Sequence, residues 1–133
     1  MSGGTMRCTS LLVVGVLAVA CCPFLNTPKR SFEQMRDRAC AGDVPGFFAY
    51  VDKTALTKNT VPGPLGSIAM SQVFTEWEDE VKKGKDGYTC RLETLGSSES
   101  WVDLRRVSGN RSRWHFERHD SKHLLVKIEQ LGK

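Results

Sequence analysis

Three histidines, His115, His119 and His123, are all the imidazoles the chain has, and they recur every fourth residue within WHFERHDSKH. On a helix this spacing would align three nitrogen ligands along one face, the donor set of a zinc site. The five cysteines, Cys8, Cys21, Cys22, Cys40 and Cys90, offer thiol chemistry, but no CxxC or Cys/His spacing among them marks a metal site. The acidic run EWEDE, Glu76 to Glu80, lacks the alternating oxygen ligands and central glycine of a calcium loop and reads as a solvated helix face. No motif asks for a cofactor.

What the histidines can do depends on the element that carries them. If Asp120, Ser121 and Lys122 turn the chain, two strands pair with His119 opposite His123, Phe116 opposite Val126 and Trp114 opposite Ile128. Large apolar side chains then share one face, and His115, Glu117, His119, His123, Lys127 and Glu129 share the other. This hairpin leaves only His119 and His123 adjacent, two imidazoles where catalytic zinc usually takes three protein ligands. The reading that follows is an exposed polar face, with the pair His119 and His123 as the residual metal or proton-sensitive candidate.

Period-two patterning extends upstream. YTCRLETL places Tyr88, Cys90 and Leu92 on one face, and WVDLRRV places Val102 and Leu104 on one face. A turn at Gly96, Ser97 and Ser98 would pair Leu92 with Val102, Cys90 with Leu104, and Arg91 with Asp103. Ahead of these strands the period is helical. Phe32, Met35 and Ala39 follow a Ser31–Gln34 capping box and stop at Gly42. Asp43 caps a second helix through Phe47, Phe48 and Val51, with a further turn from Thr54 to Leu56. After the Pro/Gly loop TKNTVPGPLG, Ser67 opens a third helix whose stripe is Met70, Phe74, Trp77 and Val81. Three helices followed by a four-stranded antiparallel curved sheet define an α+β domain.

The first twenty residues have a different composition. One positive residue, Arg7, precedes an apolar run from Leu11 to Ala20, the length of a signal-peptide core and short for a membrane span. Ala20 before Cys21, with Leu17 four residues ahead of that cysteine, resembles a bacterial lipobox, although Ala18 stands where leucine is usual. The segment can therefore mark a lipoprotein anchored through Cys21, a secreted protein cleaved near the same point, or an uncleaved anchor. The chain divides into a signal peptide at 1–20, a tether at 21–30 and one domain at 31–133. Within that domain Cys40 and Cys90 remain, either as a disulfide closing about fifty residues or as two buried thiols.

At 133 residues the chain has room for one domain, and its composition is that of a globular protein. Beyond residue 20 it carries 18 Lys and Arg against 15 Asp and Glu. That balance, without basic blocks interleaved with aromatics, gives no sign of nucleic-acid binding.

The segment AGDVPGFFAYVDKTAL and the strands RWHFER and LLVKIEQL resemble small bacterial envelope proteins of the nuclear-transport-factor-two-like, or ketosteroid-isomerase-like, superfamily. The resemblance covers about a hundred residues and implies a curved sheet able to enclose a pocket. Together these readings lead to an exported, lipid-anchored envelope domain that is noncatalytic and binds a small apolar ligand or another envelope protein. The competing expectations are a purely structural assembly subunit and an enzyme using polar groups in a cone-shaped pocket. For the enzyme, Asp52, Asp103 and His115 are the candidates for proton transfer.

Overall fold

The computed structural model describes residues 26–133. The signal segment and Cys21 lie outside the described residues. Among those described, the order is α1 (Pro28–Cys40), α2 (Val44–Phe48), α3 (Lys53–Thr60), α4 (Gly66–Lys82) and a short 3-10 turn at Gly84–Asp86. The strands follow as β1 (Glu93–Ser97), β2 (Trp101–Arg105), β3 (Arg111–His119) and β4 (Lys122–Gly132). The strands form one antiparallel sheet in the order β1-β2-β3-β4, and the helices cover one face of it. This is the α+β architecture the patterning predicts.

The first helix begins three residues ahead of Ser31. Thr27 caps it by accepting from the Arg30 amide, with Pro28 in its first turn, where a missing N–H costs nothing. Ser31 is instead a buried helical residue whose Oγ accepts from the His123 amide at 3.0 Å. Asp43 caps α2 through the Gly46 amide as expected. The turn expected near Thr54 extends into the whole of α3, because Asp52 caps it by accepting from Ala55 N–H at 3.0 Å. The loop before α4 shrinks accordingly, and α4 starts at Gly66 without a side-chain cap from Ser67.

Phe32, Met35, Phe47, Leu56, Met70, Trp77 and Val81 from the helices meet Val102, Leu104, Trp114, Phe116 and Leu125 from the sheet in one core. Its centre is aromatic. Trp77 stacks on Trp114 with ring centroids 5.6 Å apart, and Phe32 meets Trp114 edge-on at 5.8 Å. A disulfide joins Cys40, at the end of α1, to Cys90, just ahead of β1, with Cα atoms 4.7 Å apart. Such crosslinks persist in oxidising compartments, and this one is consistent with an extracytoplasmic location. No helix among the described residues is long and apolar enough to cross a membrane.

Of the three hairpins, β1–β2 and β3–β4 depart from the expected register. At the last one the turn is two residues, Asp120 and Ser121, not three, and Asp120 takes the left-handed conformation at φ 54°. His119 therefore pairs with Lys122, and Arg118 with His123. A shift of one residue exchanges the faces of a strand. Phe116 is shifted too and pairs with Leu125, not with Val126; a bulge that skips Val126 then restores the expected register, so His115–Lys127 and Trp114–Ile128 stand as read from the sequence. At β1 the strand starts at Glu93, after a turn at Tyr88–Arg91 that the disulfide ties to α1. Thr94 pairs with Leu104, and Gly96 with Asp103. The expected partners Cys90, Arg91 and Leu92 all lie outside the ladder, Val102 pairs with Ser97, and the reversal sits at Ser98–Ser100, where the Ser98 hydroxyl accepts from two backbone amides.

Candidate functional site

The register settles where the histidines go. His123 is buried at 8% exposure and turns inward, its Nδ1 2.8 Å from Asn26 Oδ1. Burial, followed by the nearby Arg118, holds its pKa below the ordinary histidine value. His119 is exposed beside Glu117, and His115 contacts Glu129 at 3.2 Å on the outer face. His119 and His123 are thus not the cross-strand neighbours that the three-residue turn implied. No group of three or more His, Cys, Asp or Glu among the described residues could hold a metal.

The three proton-transfer candidates are also dispersed. Asp52 is the cap of α3. Asp103 lies on the outer sheet face in a bidentate pair with Arg113, Nε–Oδ1 2.7 Å and Nη2–Oδ2 3.0 Å. That pairing holds its carboxyl below the usual range. The expected partner, Arg91, is replaced because the β1 register moved. None of Asp52, Asp103 or His115 lines the cleft described next, so the structure does not assemble them into a common site.

A cleft of about 180 Å³ opens between α4 and the inner face of the sheet. Helical spacing sets one wall: Met70, Val73 and Trp77 project from α4 at intervals of three and four. Leu92, Trp114 and Ile128 supply the other, the last two by cross-strand pairing. Glu76, Tyr88, Arg106 and Gln130 bring polar groups to the same cleft. Gly87 is needed here, since a Cβ at that position would collide with the Glu80 carbonyl. The close approach lets the Tyr88 amide donate to Glu80 Oε1 at 2.9 Å. Lys83, then Tyr88, hold the Glu80 carboxyl below its ordinary pKa by hydrogen bonding.

The Tyr88 hydroxyl donates to Glu76, and burial followed by that carboxylate pushes its pKa well up. The Arg106 guanidinium lies 4.3 Å above the Tyr88 ring, a cation–π contact, and makes no ion pair among the described residues. Trp114 Nε1–H donates to Ser112 Oγ at 3.1 Å, which satisfies the buried indole. One lining group is left over. Thr89 is 1% exposed, and its Oγ1 has no hydrogen-bond partner among the described residues. A buried hydroxyl without a partner costs about 1–3 kcal/mol.

The sequence pointed to Met70 and Trp77 as core and offered Tyr88 as a strand residue; it gave no sign of Thr89 or Arg106. Comparison with family profiles, curated proteins and solved structures finds no match. What the fold and geometry define is an α+β domain with an aromatic-walled cleft.

Proposed function

We propose that this chain is an exported, lipid-anchored envelope domain that catalyses no reaction and holds a small apolar ligand in the cleft between α4 and the sheet. The observation that carries this reading is the cleft itself. Met70, Val73 and Trp77 of α4 face Leu92, Trp114 and Ile128 across it, and Glu76, Tyr88 and Arg106 meet one another at its edge. The Cys40–Cys90 disulfide supports export. The lipobox-like Ala20–Cys21 supports an anchor at Cys21, and the resemblance to envelope proteins of the nuclear-transport-factor-two-like superfamily supports a pocket-forming role. Exposed Leu65 and Ile68, at the start of α4, favour a second reading in which the domain docks on another envelope protein.

The address is tested by expressing the full chain in a bacterium with intact lipoprotein processing and measuring the mass of the mature N-terminus. A diacylglyceryl group on Cys21, absent from Cys21→Ser, is expected. An unmodified chain beginning at Cys21 would refute the anchor, while leaving the cleft to be judged by its own test.

A further inference from the structure

We propose that the α3–α4 loop and the first turn of α4 form a second membrane contact, in which Leu65 and Ile68 enter the surface of an anionic phospholipid bilayer and Lys53 and Lys58 meet its headgroups. This rests on the lipid-anchored reading for the bilayer within reach, and adds to the anchor a surface that orients the domain on it.

The sequence sets this segment apart. From Asn59 to Thr75 the chain holds no Asp, Glu, Lys, Arg or His, and the middle of that run is VPGPLGSIA. The fold turns the run outward. Leu65 is 71% exposed and Ile68 62%, and they stand three residues apart at the start of α4, a spacing that makes neighbours on a helix. Pro62 and Pro64 beside them are exposed as well. The turn that carries them is closely folded. A Cβ at Gly66 would collide with the Val61 carbonyl oxygen, and the Gly66 amide donates to the Gly63 carbonyl at 3.1 Å. Two large apolar side chains are therefore presented to solvent by a defined tip.

Charge identifies the partner. A groove of about 420 Å³ beside the tip is lined by Lys53, Lys58, Thr54, Thr57 and Ser67, and no acid lines it. Neither lysine has an ion pair among the described residues. The Lys53 ammonium instead rests 4.4 Å from the centre of the Phe48 ring. Two ammonium groups without counter-ions and three hydroxyls suit phosphodiester oxygens, which accept from both. The residue types separate a bilayer from a protein partner. Surfaces that lie in the bilayer interface combine Leu with Lys, whereas protein interfaces favour Tyr, Trp and Arg and are depleted in Lys. The tip and its groove contain neither an aromatic residue nor an Arg.

Reach supplies the last argument. Cys21 precedes Asn26 by five residues, which span at most about 18 Å. The 17 residues of α4 alone extend about 25 Å. A lipid on Cys21 thus holds the domain against the bilayer at less than its own length, where a protruding tip can touch.

The test uses the full chain produced with isotope labels in a bacterium. The processed product is purified, and its mass records whether Cys21 carries lipid. It is then combined with nanodiscs of phosphatidylcholine, alone or mixed equally with phosphatidylglycerol, containing a lipid spin-labelled near the headgroup, and broadening of backbone amide signals is read. Gly63 and Leu65 to Ala69 are expected to broaden strongly in the anionic discs. The amides of β1, at the sheet edge opposite the one α3 covers, are expected to stay sharp. Leu65→Ser with Ile68→Ser, both at exposed positions, should abolish the broadening. Lys53→Gln and Lys58→Gln should each lower the ratio of docked to undocked domain about fivefold. Equal broadening of the tip and β1, absence of broadening at both, or tip broadening that survives the double serine variant would overturn the contact. Broadening indifferent to phosphatidylglycerol would overturn the role of the lysines. A tip left sharp by lipid, with amides that shift as protein concentration rises, would overturn the bilayer in favour of a protein partner. Tip broadening in a product without lipid on Cys21 would uphold the contact and refute the anchor.

Discussion

Replacing Thr89 by Val tests the cleft without any ligand. Thr89 is 1% exposed and its Oγ1 lacks a hydrogen-bond partner, so the native side chain bears the cost of a desolvated polar group, about 1–3 kcal/mol. Valine keeps the β-branch and its restricted χ1, removes the hydroxyl and adds a methyl group in contact with the apolar wall. Burying one such group contributes about 0.8 kcal/mol. Fitting the slightly larger methyl group into the packed site would reduce the gain, so the expected net effect is stabilisation by about 1–2 kcal/mol. In a domain of about 100 residues each kcal/mol raises Tm by roughly 4–8 °C. Differential scanning calorimetry and urea unfolding of wild type and Thr89→Val measure this directly. An unchanged or lowered stability would show that the hydroxyl is already satisfied, and the assignment of a buried unpartnered group there would collapse.

Other outcomes follow from the same structure. Cys40→Ser with Cys90→Ser opens a crosslink spanning 50 residues and should lower unfolding free energy by about 4 kcal/mol; a urea midpoint close to wild type would contradict that estimate. His123 has a folded-state pKa depressed by burial and Arg118. Its contribution is therefore complete above the unfolded value of about 6.5 and is lost as pH falls from there through the folded value. In His123→Gln the dependence of unfolding free energy on pH across that window should flatten, and an unaltered slope would assign it to other groups.

The elements were legible in the sequence wherever one strong pattern acted alone. Met70, Trp77 and Val81 repeat at helical spacing over about three turns, and Asp43 carries an N-cap signature, so α4 and the start of α2 appear where expected, although α2 ends at Phe48 and Val51 bridges to Leu125 instead. Patterning also assigned Trp114 and Ile128 to the core side of paired strands. Register was less legible, because it depends on turn length and bulges, which alternation does not encode. At the β3–β4 turn, Asp120 accepts a left-handed backbone, two residues suffice, and His123 moves from the surface to the interior. The Val126 bulge then compensates, which is why the expected and observed pairings agree at one end of the hairpin and not at the other. The cleft was least legible. It joins α4, the Tyr88–Arg91 turn and the β2–β3 turn; Gly87 packing on Glu80 holds the first two together, and Arg106 over the Tyr88 ring adds the third. Thr89 and Arg106 have no local signature, because their meaning comes from what surrounds them in space.

The most direct test of the proposed function is native mass spectrometry of the full chain extracted gently from a bacterial envelope, compared with its mass after denaturation. The proposal predicts a noncovalent adduct of one small molecule per chain, lost on denaturation. A bare polypeptide in repeated preparations would contradict it.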